Sequence, residues 1–195
     1  MKKKVKEFVL TEEQEALVKH VFSGLRVPAE KEKQLFELPK GKREEVLTFY
    51  VEKYSLSDES EVKLFDLPKD ERKRVLIVYV SKHFPCDDFE RLMFDLPKED
   101  RKDVFLSFFT MWDLCEESEI KLFDFSEDER MVLLLDYVSR YCFCRNPQMK
   151  LFELPEDERV VVLSAYIRKR PLCKDARERF NALSEGEKAR IMQNA

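Results

Sequence analysis

Apolar residues recur along this chain with a helical spacing nested inside a longer one. Val46, Leu47 and Tyr50 are followed by Val75, Leu76 and Tyr79, then Val104, Phe105 and Phe108, then Leu133, Leu134 and Tyr137, then Val162, Leu163 and Tyr166. Within a set the spacing i, i+1, i+4 places three side chains on one face of a helix. From set to set the step is 29 residues. A second mark, Phe-Asp/Glu-Leu-Pro, keeps the same register at Phe36–Pro39, Phe65–Pro68, Phe94–Pro97 and Phe152–Pro155. A variant is Phe123-Asp-Phe-Ser126, and degenerate copies stand at Phe8-Val-Leu-Thr11 and Ala182-Leu183-Ser184. With the Pro, Ser or Thr as anchor, the anchors are 11, 39, 68, 97, 126, 155 and 184, a step of 28 and then five of 29. Chance does not supply such a series, so the chain is read as seven tandem copies.

Each copy predicts two helices. Offsets 4, 7, 8, 11 and 15 after the anchor mark one helical face, which predicts a helix of about 14 residues there. Proline suits the start of that helix, where its missing N–H is not needed. Thr11-x-x-Gln14, Ser126-x-x-Glu129 and Ser184-x-x-Glu187 read as capping boxes at the same point. Before the anchor, segments such as Glu59–Phe65 and Glu116–Phe123 allow a helix of about nine residues, with the i, i+3 pairs Val62/Phe65 and Ile120/Phe123 as its apolar side. Nine residues are marginal alone, so this helix must pack on the long one and on its neighbours.

The predicted fold is all-α: one domain over residues 1–195, a right-handed α-solenoid of about seven 29-residue helix–turn–helix repeats, each a short helix, a Pro/Ser turn and a longer helix. Copy one lacks the acid and the proline, and copy seven has Asn181 where Phe belongs, so the first and last copies read as caps. The arrangement resembles the α-solenoid class that includes tetratricopeptide and HEAT-like arrays. The likeness lies in helical-hairpin stacking, because the period of 29 is neither 34 nor above 40 and the tetratricopeptide Trp-Leu-Gly-Tyr pattern is absent. It implies a protein-binding scaffold.

Composition narrows the function classes. Charged residues make up 39% of the chain, but 36 Lys and Arg nearly balance 40 Asp and Glu, which favours a solvated helical surface over a polyanion-binding one. The three glycines, Gly24, Gly41 and Gly186, form no phosphate loop. No apolar run approaches the ~20 residues of a membrane span. The basic start, with Lys2, Lys3, Lys4 and Lys6, precedes no apolar stretch, so it reads as a solvated terminus, with nuclear import as the alternative. The odd count of five cysteines suggests reduced thiols and a cytoplasmic or nuclear location.

Four constellations carry candidate chemistry. Arg43, Arg72, Arg101, Arg130 and Arg159 all stand four past the anchor. Such a ladder suits anions, but the copies that carry it also carry an acid two before the anchor: Glu37, Asp66, Asp95, Asp124 or Glu153. It is therefore read as an ion-pair ladder holding the helices together, with anion binding as the alternative. Cys86, Cys115, Cys144 and Cys173, spaced by 29 with Ser57 in the same slot, read as small residues at the start of the short helix. Cys142-x-Cys144 has no further ligand cluster and is a weak metal signal. Tyr54, His83, Trp112 and Tyr141, followed by Arg170, stand fifteen past the anchor and read as packing between copies, with base stacking as the alternative.

The fourth constellation breaks the pattern. Five and six past the anchor, copies two to four are polar, whereas copies five and six carry Met131, Val132, Val160 and Val161, and Leu135 extends the stripe. These five residues are expected to form an exposed apolar patch that binds a partner protein, with cover by the chain's own C-terminal copy as the alternative. The sequence thus predicts a non-catalytic interaction scaffold with no cofactor and no metal. The alternative is an RNA-binding helical repeat that uses the arginine and aromatic ladders.

Overall fold

A computed structural model describes residues 10–195, and Lys2, Lys3, Lys4, Lys6, Phe8 and Val9 lie outside the described residues. The chain divides into two compact units, one ending at Leu92 and one spanning Met93–Ala195. The first unit holds α1 (Glu12–Phe22), α2 (Lys33–Phe36), α3 (Lys40–Val51), α4 (Asp58–Lys63) and α5 (Lys69–Val80), and α6 (Asp87–Phe94) follows. The second holds α7 (Lys98–Phe108), α8 (Glu116–Lys121), α9 (Glu127–Arg140), α10 (Arg145–Lys150), α11 (Glu156–Lys169), α12 (Lys174–Asn181) and α13 (Glu185–Asn194).

In the first unit α3 lies between α1 and α5; in the second α9 lies between α7 and α11, and α13 packs on α11. The short helices α8, α10 and α12 form a row of their own. Alternating short and long helices stacked in register make each unit a right-handed helical-repeat solenoid, and the fold is all-α.

The short helix is built as expected in length but not in texture. Asp58–Lys63 is α-helical and its last turn, Leu64–Asp66, tightens to a 3-10 helix; Leu122–Asp124 and Leu151–Glu153 do the same. The buried side of this helix is not the expected one, and it is the same in copies with and without the tighter turn. Leu35, Leu64, Leu122 and Leu151, four before each anchor, are fully buried, whereas Val62, Phe65 and Ile120 are only half-buried. The anchor proline itself stays outside the long helix: Pro39 has φ −57° and ψ 143°, and its carbonyl accepts from Arg43 N–H at 2.8 Å. Proline's fixed φ and its restriction on the preceding residue separate the two helices at that point.

The long helices run for 11–14 residues from α3 to α11. Their residues at offsets 7, 8 and 11 are essentially without exposure in copies two to six, including Tyr50, Tyr79, Phe108, Tyr137 and Tyr166. Copy four adds Phe109, whose ring stands edge-on to Tyr137 at 5.0 Å. Burying a side chain of this size contributes ~1.5–3 kcal/mol, so the stack is stabilised chiefly by apolar faces that no single copy could cover.

Candidate functional site

The five ladder arginines sit on the first turn of the long helices, and their bonds define the first recurring device. Arg43 donates from Nε and Nη2 to Glu71, at 2.7 and 3.1 Å. Arg101 binds Glu129 in the same two-pronged way, Arg130 binds Glu158, and the Nε of Arg159 donates to Glu187 at 2.6 Å. Each acid stands three past the next anchor, so the pair joins adjacent long helices. The acids two before the anchor, Glu37, Asp124 and Glu153 among them, are exposed instead. The remaining guanidinium nitrogen explains why. In these four it donates to the main-chain carbonyl three before the anchor (Phe36, Phe94, Phe123 and Phe152), which aims the fork away from the short helix's own acid and across to the next copy. The Arg101 guanidinium also lies 4.2 Å above the Phe125 ring.

The same acids correct two of the expected capping boxes. Thr11 and Gln14 form the full reciprocal box. At Ser184 only the hydroxyl takes part, accepting from Glu187 N–H at 3.2 Å, and at Ser126 the hydroxyl turns to Asp128. Glu129 and Glu187 serve the arginines instead. A two-pronged charged bond in a half-buried place outweighs a bond to an exposed N–H that water satisfies equally well.

A second device escaped the sequence reading. Seven residues before successive anchors stand Glu32, Glu61, Glu90, Glu119 and Gln148. Glu32, Glu61 and Glu119 are buried, and each accepts from the tyrosine eleven past its own anchor: Tyr50, Tyr79 and Tyr137, the last at 2.7 Å. The other carboxylate oxygen accepts from the main-chain N–H at the start of the next short helix: Ser57 at 2.9 Å, Cys86 at 2.8 Å and Cys144 at 2.9 Å. One carboxylate thus locks its own long helix and the next short helix together. Burial first, and then the neighbouring carboxylate, raise the pKa of Tyr79 and Tyr137, and burial raises that of Glu119. The signal that could have revealed this network is the shared register of the acids with the tyrosines.

The cysteines are its partners. Cys115, Cys144 and Cys173 are the N-caps of α8, α10 and α12, as Ser57 is of α4, and no disulfide joins the cysteines among the described residues. Cys144 is exposed as a residue, yet burial of its sulfur side and the Glu119 carboxylate push its thiol up to about 11. At pH 8 such a group is about 0.1% thiolate, against roughly a quarter for an ordinary cysteine near 8.5. Alkylation of Cys144 by iodoacetamide at pH 8, followed by peptide mass spectrometry, is expected to run roughly two hundredfold slower than that of a free thiol. A rate equal to that of free cysteine would contradict the assignment.

Three of the residues fifteen past the anchor reach back to the previous copy. Tyr54 donates to the Gly24 carbonyl at 2.5 Å, a His83 ring nitrogen lies 2.7 Å from the Val51 carbonyl, and Arg170 donates to the Arg140 carbonyl at 3.4 Å. All three carbonyls lie at or just past the C-terminus of a long helix, where the last C=O groups have no partner within the helix. These side chains supply it.

The apolar patch is reduced. Val160 is 3% exposed, and its carbonyl accepts from Ser164, whose hydroxyl also lies against the Ile191 carbonyl of α13. Its expected exposure is therefore corrected: α13 packed on α11 covers it. Val161 is 44% exposed, and Met131, Val132 and Leu135 are half-buried on the adjoining α9. Among the described residues no three His, Cys, Asp or Glu side chains are placed to hold a metal ion, and no helix is long and apolar enough to cross a membrane. No family model, no curated protein and no solved structure matches this sequence.

Proposed function

We propose that the chain is a non-catalytic protein-interaction scaffold that docks a partner protein on the long-helix surface of copies five and six. The observation that carries this reading is Val161. It is an apolar side chain 44% exposed on α11, which packs on the helix that carries Met131, Val132 and Leu135, and the positions of Met131, Val132 and Val161 are polar in copies two to four. The regular polar side chains are engaged inside the stack. Arg43, Arg101, Arg130 and Arg159 turn their forks to carboxylates, which weighs against their use on the phosphates of RNA. What is left to face a partner is where copies depart from the pattern, and an apolar group at such a place is suited to contact.

The test is affinity capture with the purified protein and with a Met131→Glu, Val161→Glu variant of equal melting temperature. The variant is expected to lose the captured partner. An unchanged partner set would overturn the patch, and steeply salt-dependent binding of single-stranded RNA by the wild type would favour the nucleic-acid reading.

A further inference from the structure

The second unit contains a groove whose chemistry runs against the rest of the chain. It is a shallow, open groove of about 460 Å³ where the end of α11 and the following loop meet α12 and α13. Its floor is apolar, formed by Ile167, Leu172, Phe180 and Met192. Its rim carries Arg168, Lys169, Arg170 and Arg177. Residues 167–180 hold six Lys and Arg against two acids, Asp175 and Glu178, in a chain whose net charge is −4. Asp175 is already paired with Arg145.

The rim cations differ from the ladder arginines in what they bind. Arg168 donates to the Asn194 carbonyl, Lys169 to Ser139 at 2.9 Å, Arg170 to Arg140 at 3.4 Å and Arg177 to Leu172 at 3.3 Å. All four of these partners are main-chain carbonyls. Such bonds aim the side chains without cancelling their charge. The repeat pattern breaks here in the same sense. Seven before the anchor, where Glu32, Glu61 and Glu119 are buried, copy seven has the exposed Arg177. Fifteen past the anchor, where Tyr54, His83 and Tyr141 stand, copy six has Arg170. Eight past the anchor, where Leu47, Leu76, Phe105, Leu134 and Leu163 are buried, Met192 is 57% exposed.

We infer that this groove binds an acidic peptide segment of a partner protein, with one bulky apolar side chain on the floor and flanking carboxylates on Arg168, Lys169, Arg170 and Arg177. Guanidinium forks match carboxylates two-pronged, and an apolar anchor in a pocket ringed by charge is the usual plan of a short-segment site. A nucleic acid fits less well. The floor is mostly aliphatic and offers one aromatic ring for stacking, Phe180, whereas binding of single-stranded nucleic acid draws on a series of aromatic rings for successive bases. The inference rests on the scaffold reading only in taking the partner to be a protein; the surface is separate from that of Val161.

The experiment is fluorescence anisotropy with a labelled twelve-residue peptide of Asp and Glu around a central Leu-Phe pair. Its comparators are the same peptide with Lys for every acid and a twelve-nucleotide single-stranded RNA. The acidic peptide is expected to bind saturably, to weaken as salt rises, and to lose at least about tenfold in affinity in a Lys169→Glu, Arg177→Glu variant. Should that variant melt early, Met192→Asp tests the floor with the same expected loss. Val161→Glu is expected to leave peptide binding unchanged, so failure of the patch on copies five and six is read separately. No saturable binding, equal binding by the variants, or tighter binding of the RNA would overturn the inference.

Discussion

Glu129→Ala is expected to lower the stability of the chain by about 3 kcal/mol, the lower end of the ~3–5 kcal/mol for breaking one side of a buried ion pair. The glutamate side chain is 1% exposed and that of Arg101 18%, with both guanidinium-to-carboxylate contacts at 2.7 Å. Removing the carboxylate leaves the arginine with the Phe94 carbonyl and the Phe125 ring, and strands its charge between α7 and α9. For a chain of this size a loss of 3 kcal/mol corresponds to roughly 6–12 °C in the thermal midpoint. Because the pair joins neighbouring copies, the transition should also broaden as the stack becomes less cooperative. Circular dichroism melts of the wild type, Glu129→Ala and Glu127→Ala check this. Glu127 is an exposed acid two residues earlier on α9, and its variant should melt with the wild type. Equal shifts at the two positions would contradict the assignment.

Glu119→Ala should cost about 1–3 kcal/mol by another route, because it leaves the buried Tyr137 hydroxyl without its acceptor and removes the bond to the part-buried Cys144 N–H. Glu119→Gln should be far milder. The protein itself uses glutamine at this place in copy six, where the Gln148 side-chain oxygen accepts from Cys173 N–H at 2.8 Å and its amide donates to the Phe143 carbonyl at 2.9 Å. The two side chains differ in pH dependence. Burial raises the Glu119 pKa above its ordinary 4.5, so folding favours its protonated form. The stability this group contributes is complete below the ordinary carboxylate value and is lost as pH rises through the raised one. The glutamine variant has no proton to lose. Wild type minus Glu119→Gln should therefore be more favourable to the wild type at pH 4 than at pH 7 in paired urea titrations. A difference that stays flat across this interval would contradict the buried-carboxylate reading.

The period, the anchor and the buried rows at offsets 7, 8 and 11 were legible because apolar side chains repeat with little variation, and a helix leaves few ways to bury them. The charged rows were harder, since an acid reads the same in sequence whether water or arginine surrounds it. Glu129 and Glu187 resembled first-turn caps, and Glu61 and Glu119 resembled solvated charges on a short helix. One signal was nevertheless present. Arginine occupies offset 4 in copies two to six, while acids occupy offset 3 in copies three to seven: Glu71, Asp100, Glu129, Glu158 and Glu187. That displacement by one copy points from Arg43, Arg101, Arg130 and Arg159 to the acid of the next copy, whereas the acids two before the anchor match the arginines copy for copy and invite the wrong partner. Val160 was misplaced for a related reason, because polarity in sister copies reports exposure only where the same neighbour lies above them.

The forward reach of each arginine gives the array a grammar. In the second unit copies five and six each offer a fork to the copy after and a carboxylate to the copy before, so such a copy is defined by two complementary ends rather than by its position in the row. Splicing an additional copy between the fourth and fifth in the second unit would restore both joints, the incoming carboxylate meeting Arg101 and the incoming fork meeting Glu129. Such a chain can lengthen or shorten by whole words while each word stays legible to its neighbours.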